Sequence, residues 1–182
     1  MIVGWIIEHK IVLTVTQKRN SILGNYRAPH NGKGHRISIN GDLNPYAFLV
    51  TFVHEMAHLT TCVKHQKRVS SHGSEWKEQF KLLMDEFFGR KIFPHDVRAT
   101  LKIYLKNPAS THCNDPHLIK VLDIYNKKAV LYVQDLDSNA LFVWNDGRIF
   151  KKGEKLRKRY KCYEVKTKRI YLFNPIAEVR SF

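Results

Sequence analysis

The stretch from Asn44 to Lys64 limits what this chain can fold into more than any other part of it. Asn44-Pro45 offers a side-chain cap followed by proline at the first helical position, where a missing amide is harmless. Leu49, Phe52, Val53, Met56 and Val63 then recur at three- and four-residue spacing, which predicts a long helix with a core-facing stripe. In the middle of that apolar helix stand two imidazoles and a carboxylate, in the order His54-Glu55-Met56-Ala57-His58. Buried without partners, such groups would be strongly destabilising. The spacing says what the partner is: side chains four apart project from one face and can share a single metal ion. Glu55 is turned about 100° away by the helical period, so it can work on a water beside the ion without taking a coordination position. This is the pattern that metal-assisted peptide hydrolysis requires.

A catalytic zinc takes three protein ligands and keeps one position open. His65 is seven residues beyond His58, about 10 Å along the axis of a continuing helix, and no glycine turns the chain back toward the ion. Glu75 and Glu78, on a second helix expected over Ser74 to Phe88, are alternatives. His72 fits better. It precedes Gly73 at the start of that helix, can fold back over the first, and the positive helix end keeps its ring neutral for binding. Cys62 lies one turn past His58 but about 12 Å along the axis from His54, and reads as a core residue.

Around the long helix, residues 9 to 17 and 35 to 40 alternate as strands, with a third strand within 21 to 29 and a turn at Asn31-Gly32-Lys33-Gly34. A small antiparallel sheet is therefore expected to open the chain. A third helix is expected from Asp96 to about Lys106, ended by Asn107-Pro108. The segment 108–117 is rich in Pro, Ser, Thr and Asn and reads as a linker between a first domain, 1–107, and a basic β-rich subdomain, 118–182. In the latter, residues 129–134, 140–144, 157–165 and 169–174 predict an antiparallel meander packed through Leu141, Val143, Tyr160 and Leu172. The fold class that follows is α+β.

Lys and Arg number 31 against 16 Asp and Glu, a formal net charge of +15. Such a surface attracts polyanions. From Lys151 to Arg169 the basic residues number ten, against Glu154 and Glu164. Strand alternation would place Arg157, Arg159 and Lys161 on one face with Lys158 beside them, a row able to follow phosphates while a tyrosine stacks on a base. Cys62, Cys113 and Cys162 are too few and too scattered for a disulfide framework, which points to a reducing compartment. The apolar run Met1–Ile7 lacks the flanks of a signal peptide, and no stretch reaches the roughly 20 apolar residues of a membrane span. The sequence thus predicts a cytoplasmic protein without a membrane partner.

His54-Glu55-Met56-Ala57-His58 and the later His72-Gly73-Ser74-Glu75-Trp76, preceded by Gly34-His35-Arg36-Ile37-Ser38-Ile39-Asn40 and Leu43-Asn44-Pro45, resemble the SprT-like zinc metalloproteases over most of residues 10 to 105. The resemblance implies a zincin-like domain, zinc held by His54, His58 and His72, and Glu55 as general base. Trp76 matches the aromatic of the second motif and reads as packing. It further implies a protein substrate and, by analogy with eukaryotic members, single-stranded or structured DNA as a partner. Two departures stand out. Relatives usually carry more helix ahead of the first strand, and many end in a zinc ribbon of paired cysteines, whereas this tail has no Cys-x-x-Cys. One catalytic zinc and no second, structural zinc is the expectation, with the meander as a degenerate ribbon. A nucleic-acid-binding protein with a structural zinc is the alternative.

Overall fold

A computed structural model describes residues 1–19, 22–66, 69–108 and 115–182. The chain is mixed α+β and divides into two compact units, Met1–Tyr125 and Asn126–Phe182.

The first unit runs α1 (Ile2–Glu8), β1 (Val12–Thr16), β2 (Gly24–Arg27), β3 (Arg36–Asn40), α2 (Pro45–His65), α3 (Ser74–Phe88), α4 (His95–Tyr104) and α5 (Pro116–Asp123). Asn44 begins α2 as its sequence promised: the side-chain oxygen accepts from the Tyr46 and Ala47 amides at 3.1 and 3.0 Å. The same side chain donates to the Leu122 carbonyl at 2.8 Å, tying α2 to the end of α5. Gln66, in the left-handed conformation at φ 51°, ends the helix. Ile37 and Ile39 of β3, the Phe52–Leu59 stretch of α2, and Trp76, Phe80, Met84 and Phe87 of α3 form one core. Leu118 and Leu122 of α5 are buried in it as well. The first unit therefore extends past residue 107. The linker expected over 108–117 falls largely outside the described residues, as does Cys113.

The opening sheet differs from expectation. Its order is β1-β3-β2, with β2 antiparallel to β3 but β1 parallel to it. Alternation reveals strands without their direction. The connection from β1 carries the chain across the sheet so that β3 returns between the other two. α1 was not foreseen either, since its 7 residues have no side-chain cap. Trp5 holds it in place, stacked 6.4 Å from Phe52 and edge-on 5.7 Å from Phe87.

The second unit is a six-stranded antiparallel sheet in the order β4-β9-β5-β6-β7-β8. Its strands are β4 (Leu131–Tyr132), β5 (Leu141–Val143), β6 (Ile149–Lys155), β7 (Tyr160–Glu164), β8 (Ile170–Phe173) and β9 (Glu178–Ser181). The core is Val133, Phe142, Phe150, Cys162, Phe173 and Val179. Leu141 and Leu172, expected inside, are 39% and 49% exposed. In a stretch such as Leu141-Phe142-Val143 either face is apolar, so parity alone could not choose, and the bulkier phenylalanine won the interior. β6 escaped notice because its Lys151-Lys152 looked like solvated tail. Lys152 is in fact buried, its ammonium donating to the carbonyls of Gln134 and Leu136 at 3.2 and 2.5 Å.

Candidate metal centre

His54 and Glu55 are nearly shut from solvent, at 5% and 6% exposure, and His58 is half-buried one turn along. After α2 the chain turns back, closed by the Gly73 amide on the Ser70 carbonyl at 3.1 Å, and this delivers His72 over the helix. One ring nitrogen from each of His54, His58 and His72 lies within 4.8 Å of the others. The three histidines are therefore close enough to hold a metal ion, and no other such group occurs among the described residues. One pair of donors also has the separation that a shared ion needs. Nitrogens about 2.0–2.1 Å from a tetrahedral ion stand about 3.4 Å apart, and His54 Nε2 and His72 Nε2 are 3.4 Å apart. His72 Nδ1 lies 3.3 Å from Ser71 Oγ, so a hydrogen there has an acceptor and Nε2 keeps its lone pair.

Trp76 packs against all three rings, with centroid separations of 4.7, 5.5 and 4.8 Å to His54, His58 and His72, and stacks on Phe80 at 5.1 Å. One face of the cluster is thus walled by indole. The alternatives to His72 fall away. Glu75 accepts from its neighbour Ser74 at 3.1 Å, Glu78 is exposed, and His65 and Cys62 stand outside the cluster.

Burial governs the protonation of these groups. It pushes His58 down to about 4, with His72 adding to the effect, and it lowers His72 too. Both rings therefore stay neutral and ready to bind at neutral pH. Glu55 is pushed up to about 7 by burial, against the opposing pull of the Tyr26 backbone N–H and the Arg19 charge. A carboxyl poised near 7 suits a general base.

These shifts give metal-free protein a distinctive pH response. The unfolded chain takes up a proton near the ordinary histidine value while folded His58 refuses it. Its contribution is thus complete above about 6.5 and lost as pH falls toward about 4, up to about 3 kcal/mol. Glu55 works oppositely: it is ionised in the unfolded chain above about 4.5, so stability is lost as pH rises to about 7. The two slopes oppose each other in wild type. In a Glu55→Gln variant only the histidine slope is left, and urea unfolding of the chelated variant should show stability falling steeply from pH 7 to pH 4.

Gly24 is a position against Glu55 that sequence reasoning overlooked. A Cβ there would lie 2.6 Å from Glu55 Oε1 and 2.6 Å from Thr51 Cγ2, so β2 can approach the carboxylate only as glycine. Thr51 is itself held by its hydroxyl on the Ala47 carbonyl at 2.7 Å and cannot give way. The available signal was a glycine opening a strand. Gly24→Ala is expected to destabilise by about 1–3 kcal/mol, read from urea midpoints, because the helix and strand must separate.

The basic residues fare differently. Arg157, Lys158 and Arg159 are not on a strand but form the exposed turn between β6 and β7, closed by the Leu156 amide on the Arg159 carbonyl at 2.7 Å. The turn interrupts the alternation that would have aligned them with Lys161. Lys161 alone is on β7, its ammonium 3.6 Å from Glu154 and 5.7 Å from the Tyr163 ring centre. No helix among the described residues is long and apolar enough to cross a membrane.

No family model, no curated protein and no solved structure matches this chain.

Proposed function

We propose that the chain is a zinc-dependent endopeptidase of the SprT-like type, with a zincin-like first unit, acting on proteins associated with nucleic acid in the cytoplasm. The observation that carries this reading is the convergence of His54, His58 and His72 beside a buried, proton-accepting Glu55. Zinc held there would supply Lewis acidity, polarising a peptide carbonyl and acidifying water. Glu55 takes a proton from the attacking water and hands it to the leaving amine. Its carboxyl is positioned for this by the Tyr26 N–H and by the glycine above it. β2 is an edge strand, so an extended peptide has a free strand to lie against next to Glu55. Trp76 and Phe80 exclude water from behind the imidazoles.

DNA is the proposed partner because Arg157, Lys158 and Arg159 form no ion pair among the described residues, and three unneutralised cations on one turn suit phosphates. That same turn favours a second reading, a nucleic-acid-binding protein with a structural zinc and no peptidase activity. Metal content of the purified chain together with casein cleavage, with and without chelator, decides. Bound zinc with chelator-sensitive cleavage supports the peptidase, bound zinc without cleavage supports the second reading, and absence of metal removes both.

A further inference from the structure

The first sheet carries a charge pattern that the metal centre does not use. Between Glu8 and Asp42 the sequence has no acidic residue, yet it contains Lys10, Lys18, Arg19, Arg27, Lys33 and Arg36. Register decides where these side chains go. Ile37 and Ile39 are buried against α2, so Arg36 and Ser38 face the other way. Pairing brings Thr14 of β1 and Asn25 and Arg27 of β2 onto that same outer face.

Arg27 and Arg36 are direct cross-strand partners. Like charges so placed destabilise a sheet, and among the described residues neither arginine has a carboxylate in ion-pair range. Among the described residues Arg36 gives one hydrogen bond, from Nη2 to the Ala28 carbonyl at 3.3 Å, while its Nε is shut from solvent without an acceptor there. A groove of about 280 Å³ is lined by both arginines together with Val12, Thr14, Asn25, Ile37 and Ser38. Two cross-strand arginines beside the hydroxyl and amide groups of Thr14, Ser38 and Asn25 suit an oxyanion. Nothing acidic in the whole segment competes for it.

We propose that this groove binds backbone phosphates of nucleic acid, giving the catalytic unit its own contact independent of the β6–β7 turn. A chain of phosphates suits the site because the cations continue along the β2–β3 connection through Lys33. The proposal goes beyond the peptidase reading and does not depend on it, since binding is read without turnover.

The test uses the full chain, fluorescein-labelled single-stranded DNA, RNA of equal length and inorganic phosphate as competitor. Arg27→Gln with Arg36→Gln should weaken binding to both nucleic acids and reduce the salt slope by about 1.4 units, two phosphates at about 0.7 each. Thr14→Glu sets a carboxylate beside the arginine pair. It should raise the melting temperature by relieving their repulsion and yet weaken DNA binding, opposite signs that a merely structural role would not produce. An unchanged salt slope in the double variant, DNA affinity unaltered by Thr14→Glu, or equal competition by inorganic phosphate against DNA in wild type and the double variant would each overturn the proposal.

Discussion

Glu55→Gln is expected to keep its metal and to lose casein cleavage by about 10²–10⁴-fold, the usual contribution of a positioned proton acceptor. Glutamine preserves the shape and the oxygen that accepts from Tyr26, and it leaves His54, His58 and His72 untouched. What disappears is only the capacity to take a proton. The same substitution should stabilise metal-free protein at pH 7.5, because it removes a buried carboxyl that must otherwise ionise near 7. Activity falling while stability rises distinguishes a group retained for chemistry from one retained for the fold. Undiminished cleavage in this variant would end the assignment of Glu55 as base.

The second large effect concerns His72. His72→Ala should lower zinc affinity by more than the roughly 10–100-fold that follows loss of an outer partner, leaving purified protein substoichiometric in metal and inactive. The ring is one of three donors within 4.8 Å, and no described carboxylate or thiol stands ready to replace it. His65→Ala is the matched control, a histidine at the end of α2 and outside the cluster. Metal analysis should show His65→Ala fully loaded. Equal loading of the two variants would mean that the ion, if bound, is held elsewhere.

The His54–His58 pair was legible because helical geometry converts a four-residue interval into a shared face, and because the helix that carries it is a proline-initiated, apolar run. His72 was legible from local chemistry too, as a ring placed ahead of a glycine and a helix start. What escaped was non-local. No pattern in β1 reveals that β3 will lie beside it in parallel, and no pattern in Gly24 reveals that Glu55 will sit against it. The tail shows the limit of period-two reasoning: in Arg157-Lys158-Arg159-Tyr160-Lys161 the alternation is real as sequence, but the chain reverses within it. Leu141 and Phe142 compete for one interior on equal hydropathic terms, and only the three-dimensional packing decides between them.

The bond from Asn44 to the Leu122 carbonyl joins positions 78 residues apart and has a bearing on how the protein is made. Synthesis is vectorial and domains tend to fold as they emerge. A nascent chain that has delivered every histidine of the cluster still lacks the α5 segment that clamps the start of α2. The helix that carries His54 and His58 is therefore fully anchored only after translation has passed well beyond the histidine cluster, which would delay completion of that site until the first unit has left the ribosome.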